Sequence, residues 1–198
     1  MCGGRGTRLD APVEKPLVEV CGRPMLDRIV DALRRSQVDS IHAVTSPHTP
    51  DTRAHATELG VHCIDAPGDG YVSDLGFALD SVSRPVVTVV ADLPLLTPDH
   101  VDAVVEASDG GSLTACVPVE QKRELGSSID DALVFDYRGD PVCPTGLGVV
   151  GPETAAPTNS EQTDSNDTDS TVYLTTDSRL ALNVNRPTDI ALAEDRCE

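Results

Sequence analysis

The chain has 198 residues with 33 acidic against 15 basic side chains, a formal net charge of −18 at pH 7. That length predicts a single domain over residues 1–198, large enough to bury a real core. Fifteen Gly and fifteen Pro exclude a long coiled coil, and no run of 18 apolar residues is present to span a membrane. With no basic stretch ahead of an apolar one, the chain reads as a cytoplasmic protein.

A surface this acidic repels duplex nucleic acid, because gripping a phosphate backbone takes clustered Lys and Arg. Lys15 and Lys122 are the only lysines, and the other 13 basic residues are arginines. Acid excess with so little lysine suits a salt-rich cytosol, where screening relieves self-repulsion, and this predicts a halophilic source. Cys2, Cys21, Cys63, Cys116, Cys143 and Cys197 form no CxxC pair and no Cys/His cluster. They are expected to be reduced thiols, mostly buried.

The chain opens with a glycine-rich loop, Met-Cys-Gly-Gly-Arg-Gly-Thr-Arg, followed by Glu14-Lys15-Pro16-Leu17. Gly3, Gly4 and Gly6 permit positive φ and close backbone approach, so that successive amides can face one anion. Arg5, Arg8 and Lys15 crowd three of the 15 basic residues into the first 15 positions. Such a cluster in an acidic chain fits a polyanionic ligand, while the competing reading is a flexible N-terminal turn. The loop is neither a Walker sequence nor the GxGxxG dinucleotide fingerprint, since Leu9 takes the place of the third glycine.

Beyond the loop, residues 24–35 set Met25, Leu26, Ile29, Val30 and Leu33 on one helical face. Strands are expected at 40–45 and 61–64, with a helix over 51–59 between them. Val72, Leu75, Leu79 and Val82 predict a helix over 71–83. Residues 86–91 (VVTVVA) are almost all apolar, as in a strand covered on both faces. Thr97 and Pro98 start a helix running to about residue 107. Strands are expected near 113–118, 132–137, 148–150 and 181–184, and a last helix from Pro187. Residues 152–171 hold no Leu, Ile, Val or aromatic residue and five acids, and are expected to be a disordered acidic insertion. Alternating strands and helices make the class α/β with a mostly parallel sheet.

Read in series, GGRGTR, EKPL and CGRPML, then TSPHTPDT, GDGYVSDL, ADLP, PTGLGVV and NVNRPTD, span nearly the whole chain. Together they resemble the nucleotidyltransferases that activate sugars, cobinamide or molybdenum cofactor. The TSPHTP and GDGYVSDL elements look most like the archaeal GTP:adenosylcobinamide-phosphate guanylyltransferases. The resemblance implies a three-layer Rossmann-like fold with a mostly parallel mixed sheet, and GTP and adenosylcobinamide phosphate as the substrates. It also implies Mg²⁺ as cofactor, and it leaves a homodimer open. Arg8, Lys15 and Asp92 would be catalytic. Gly3, Gly4, Arg5, Gly6, Thr7, Arg8 and Lys15 would bind the triphosphate, with Ser46, Pro47, Gly68, Asp69 and Gly70 on the base and ribose. Gly146 and Asn183 would face the acceptor, and Asp92 and Asn185 the metal.

Plainer roles stand beside these. Asp92 follows the apolar strand 86–91, where open α/β sheets bind ligands, and it could equally be a turn aspartate. Asn183 and Asn185 could simply cap a loop. Asp69 either accepts from guanine N1–H and its 2-amino group or is a solvated turn residue. His42, His48, His55, His62 and His100 have no metal-ligand spacing and receive no role. Related activities would use a similar loop, lysine and aspartate: a molybdenum cofactor guanylyltransferase, a sugar-phosphate nucleotidyltransferase, or a non-catalytic nucleotide-binding module. The family's apolar strand ahead of the glycine loop is missing here, which implies a cellular protein that starts upstream of Met1. The charge balance yields a test of its own: the melting temperature is expected to rise between low and molar KCl, and a maximum at low salt would refute the halophilic reading.

Overall fold

The computed structural model describes residues 1–4, 6, 8–152 and 171–197. A 3-10 turn at Lys15–Leu17 leads into a hairpin of β1 (Glu19–Val20) and β2 (Arg23–Pro24). Cys21 at φ 53° and Gly22 at φ 69° form its turn, the left-handed pair that matches the twist of a tight hairpin. In α1 (Met25–Arg34) the whole expected stripe, Met25, Leu26, Ile29, Val30 and Leu33, is buried. Full burial of one such side chain contributes about 1.5–3 kcal/mol. β3 (His42–Thr45), α2 (Pro50–Glu58) and β4 (His62–Asp65) follow, with β3 and β4 paired in parallel. Next come α3 (Tyr71–Leu79), β5 (Val86–Val89), α4 (Pro98–Ser108), β6 (Leu113–Pro118) and α5 (Val119–Leu125). A 3-10 turn at Asp131–Leu133 precedes β7 (Phe135–Tyr137), β8 (Asp140–Val150), β9 (Thr171–Leu174) and α6 (Pro187–Glu194).

The larger sheet runs β5-β8-β6-β9, with β7 paired to β8. It is mixed: β6 and β9 are parallel, whereas β8 is antiparallel to β5, β6 and β7. Ile29 and Leu33 of α1 pack with Val101 and Val104 of α4 against Leu113 and Leu147 of the sheet. Among the described residues, no helix is long and apolar enough to cross a membrane.

Several elements differ from the sequence reading. β8 begins at Asp140 rather than near residue 148. Proline normally ends a strand because it has no N–H for the ladder. Here the β6–β8 register shifts between Thr114 and Cys116, beside the Cys116–Pro144 pairing, and the strand continues. Residues 181–184 form no strand, yet Ala181, Leu182 and Val184 are fully buried. α3 stops at Leu79, and Val72 is 83% exposed while Asp74 turns inward. Two of the six expected free thiols are bonded: Cys21 in the hairpin turn and Cys197 after α6 form a disulfide. At the two ends of the acidic stretch, Pro152 follows β8 and Thr171 belongs to β9, while residues 153–170 lie outside the described residues.

β5 is the most informative difference, for all four of its residues are only half-buried. The Val90 amide donates to Gly146 O, so even-numbered residues of β5 face β8 and odd-numbered ones face away. On that far side the Met1 ammonium donates to Val89 O at 2.7 Å, and Ala91 N donates to Met1 O at 3.1 Å. Cys2 N in turn donates to Val44 O of β3 at 2.8 Å. Met1 and Cys2 thus stitch β3 to β5 in the manner of a parallel central strand. Behind them lies a cavity of about 680 Å³ lined by Leu33, Ile41, Val44, Leu79, Val87 and Val89 among others. The cleft lies between the β3 and β5 edges that Met1 and Cys2 bridge, and an extended segment would fit along it. Extending the protein by four or five alternating apolar residues ahead of Met1 is expected to raise the melting temperature by about 5–10 °C, as burial adds roughly 2–3 kcal/mol. The same extension carrying a central proline should give little of that gain in a calorimetric scan.

Candidate active site

The glycine loop leaves the β3–β5 seam at Cys2 and returns through Leu9 to the turn that bears Lys15. Two contacts fix that turn. The Glu14 carboxylate accepts from the Asp51 and Thr52 amides at 3.0 and 2.7 Å, which caps the first turn of α2. Gly6 has φ +61°, and a Cβ built there would meet the Lys15 Cβ at 2.9 Å. Only glycine lets the loop lie this close to the lysine stem.

Asp92 follows β5, at the end where ligands bind in open α/β sheets. Its Oδ2 accepts from Lys15 Nζ at 2.6 Å, and its Oδ1 accepts from Asn183 Nδ2 at 2.9 Å. Lys15 Nζ also donates to Asn185 Oδ1 at 2.9 Å. Residues separated by up to 170 positions therefore meet around one carboxylate. Buried Asp189 holds the Asn185 end: its Oδ2 accepts from the Asn185 and Arg186 amides and from Ser128 Oγ. Val184 N donates to Asp92 O, tying the irregular 181–184 segment to the same point.

A cavity of about 440 Å³ opens beside this cluster. Gly3, Gly4, Lys15 and Asp92 form part of its wall, with Asp69 and Gly70 from the loop before α3. Ser46 underlies it, donating through Oγ to Gly3 O at 2.8 Å, while Pro47 is exposed. Gly6 packs behind Lys15. Arg8 is not among the lining residues and pairs instead with Asp130 at 3.0 Å. Arg5 and Thr7 lie outside the described residues. Gly146, expected toward the acceptor, abuts Val90: it has φ +85°, and a Cβ there would stand 2.3 Å from Val90 Cγ2. Asn183 also donates to Thr145 O, beside Gly146.

Other residues of the site received no role from the sequence. Asp74 is largely buried in the cavity wall and accepts from the Gly68 amide at 2.8 Å, which shapes the 68–70 loop. It stands in the GDGYVSDL motif, four positions before buried Ala78 on the inward face of α3. His48 and Tyr71 flank the cavity. Partial burial raises the Tyr71 pKa, with the Asp92 charge adding to it. Asp189 is legible only as a helix-capping residue, three positions after Arg186.

The donor set suits a hard divalent cation. Asp92 Oδ2 and Asn185 Oδ1 converge on the Lys15 ammonium, so two oxygens already face one positive point. Among the described residues no group of three His, Cys, Asp or Glu could hold a metal alone. An ion here would take further ligands from phosphate or water, as Mg²⁺ commonly does.

The MobA-like NTP transferase domain family matches residues 1–158. This chain belongs to that family. The adenosylcobinamide-phosphate guanylyltransferase of Methanocaldococcus jannaschii is 31% identical over 166 residues, 77% of this chain and 79% of that protein. The bifunctional protein GlmU of Maricaulis maris is 35% identical over 124 residues, 61% of this chain and 27% of that protein. A putative glucose-1-phosphate thymidylyltransferase structure from Bacillus anthracis superposes with a TM-score of 0.63 at 18% identity, covering 100% of this chain and 94% of that one. A CMP:2-keto-3-deoxy-manno-octonic acid synthetase complexed with CTP gives 0.56 at 14% identity, over 72% and 69% of the chains. The fold is therefore the Rossmann-like nucleotidyltransferase fold, and this MobA-like chain is an enzyme of nucleotidyl transfer. Gly6→Ala is expected to push Lys15 off Asp92 and lower kcat/KM at least about tenfold, read by pyrophosphate release, with the melting temperature little changed.

Proposed function

We propose that the chain transfers GMP from GTP to adenosylcobinamide phosphate, giving adenosylcobinamide-GDP and pyrophosphate. The observation that carries this reading is the meeting of Lys15 and Asp92 at 2.6 Å beside a cavity edged by bare glycine backbone. The 31% identity to the Methanocaldococcus jannaschii guanylyltransferase supports the choice of substrates.

A phosphate monoester is largely dianionic at neutral pH, its second pKa being about 6. The acceptor needs no side chain to activate it. One of its oxygens attacks the α-phosphorus of GTP, and the bond from that phosphorus to the β-phosphate bridging oxygen breaks as pyrophosphate leaves. The protein's task is to hold two anions in line and to offset the charge that builds on the leaving group. In this reading the Gly3 and Gly4 backbone faces the triphosphate, and Lys15 turns its ammonium from Asp92 to the phosphates. Arg8 reaches them by exchanging Asp130 for the nucleotide, and Asp69, Gly70, Ser46 and Pro47 attend the guanosine. Asn183 and Gly146 stand on the acceptor side. Asp92 and Asn185 would hold Mg²⁺, which supplies electrostatic stabilisation of the departing pyrophosphate.

The same reading puts the enzyme in the cytoplasm of a salt-adapted cell, in keeping with its net charge of −18. Pyrophosphate release is the direct test, with GTP offered alongside adenosylcobinamide phosphate, molybdopterin or sugar phosphates in turn. Turnover is expected with the cobinamide acceptor, and preference for another acceptor would reassign the reaction. Asp92→Ala should lower kcat at least about 100-fold while calorimetry still detects GTP. Binding of GTP without turnover by the wild-type protein would favour a nucleotide-binding module.

A further inference from the structure

Both lysines of the chain are linked to one carboxylate. Lys15 reaches Asp92 directly, whereas Lys122 reaches it through Asn183. Lys122 lies on α5 and is 1% exposed. Its Nζ donates to Ala181 O and to Asn183 Oδ1, each at 3.0 Å. Neither partner is charged. Withdrawing an ammonium from water costs several kcal/mol when no counter-ion touches it. Burial lowers the Lys122 pKa, against smaller opposing contributions from Cys143, Asp92 and Asp189. A methionine would fill similar space at far lower cost, so the charged tip itself has a use.

The use is written in the chemistry of Asn183. A carboxamide has nearly the same shape when turned through 180°, but one end accepts and the other donates. Asn183 Nδ2 faces two acceptors, Asp92 Oδ1 and Thr145 O, each at 2.9 Å. Its Oδ1 faces an ammonium, a group that can only donate. A turned amide would set oxygen against both acceptors and an NH₂ group against the cation. Lys122 therefore admits one orientation and no other.

We propose that Lys122 is a positioning residue for nucleotidyl transfer: it locks the Asn183 amide so that Nδ2 holds Asp92 Oδ1, leaving Asp92 Oδ2 aimed at Lys15. This rests on the role given above to Asp92. Lys122 is not among the residues lining the cavity, so its effect belongs to the reaction rather than to GTP binding.

The test is a double-mutant cycle on kcat and on KM for GTP, with melting temperatures measured in parallel. Lys122→Met and Asn183→Ala are each expected to lower kcat about 10–100-fold, the size seen when supports of a reacting group are lost. KM should stay within a factor of about three. The double variant should be no worse than Asn183→Ala alone, because Lys122 acts through that side chain. Lys122→Gln keeps an N–H donor and should recover part of the loss, and it replaces Lys122→Met in the cycle if that variant fails to fold. Losses that multiply in the double variant, or that fall on KM, would overturn the proposal. Exchange of the Asn183 side-chain amide protons with solvent reads the same lock without turnover. Exchange should be slow in the wild type and faster in Lys122→Gln, with the β6 and β8 backbone amides unchanged. Equal exchange in both would overturn the lock. A wild type inactive toward GTP and every acceptor would instead overturn the reaction assigned above, with the exchange rates still deciding the role of Lys122.

Discussion

The ion pair between Lys15 and Asp92 is the constraint on which the rest of the site depends. In a molecule of net charge −18 an exposed cation is soon neutralised by one of many acids, and its position is then arbitrary. Here Lys15 is about four-fifths shielded, and its ammonium meets a chosen carboxylate at 2.6 Å. Sequestration strengthens the attraction, because less solvent screens it. The pair also stands ready to separate: each partner lines the cavity, so a bound polyanion can compete for the lysine while the carboxylate keeps its second support from Asn183.

That pair exists because distant parts of the chain are pinned to it from several directions. Glu14 anchors the lysine turn to the first turn of α2, and Gly6 gives the stem room. Asp92 leaves β5 with its carbonyl bound to Val184. Asp189 fixes the backbone of Asn185 and the turn at Ser128 together. Apart from the room left at Gly6, each of these supports is a short polar contact to backbone, and backbone contacts hold position better than pairs of long flexible side chains.

Much of this was readable from residues alone, and what escaped has a common cause. Glycines at 3, 4 and 6, the lysine at 15, the aspartate after an apolar strand and the two asparagines before a proline announce themselves by local chemistry. The structure brings Lys15, Asp92, Asn183 and Asn185 to one point and sets Gly3, Gly4, Asp69 and Gly70 around the adjoining cavity. Arg8, by contrast, sits on Asp130, a partner 122 positions away that no local pattern reveals. Lys122 and Asp189 escaped because their roles are tertiary: one is a buried donor behind Asn183, the other a buried acceptor beneath a helix start. Residues 181–184 look like a strand because they are apolar and buried, but they gain their burial from packing rather than from a ladder. Disulfide pairing of Cys21 with Cys197 spans 176 positions and leaves no trace in cysteine spacing.

The cleft between β3 and β5 carries a consequence for how the molecule behaves in company. Among the described residues no strand pairs with the facing edges of β3 and β5 beyond the Met1–Cys2 bridge, and open edges of this kind accept backbone from an extended peptide, including that of another copy. Mutual repulsion between two bodies of net charge −18 opposes such contact, and dissolved ions weaken it. Salt therefore acts in opposing directions here: it calms the crowding of like charges inside one molecule and removes the barrier between two. A chain of this charge is accordingly expected to gain folded stability and to lose repulsion between copies from the same added salt.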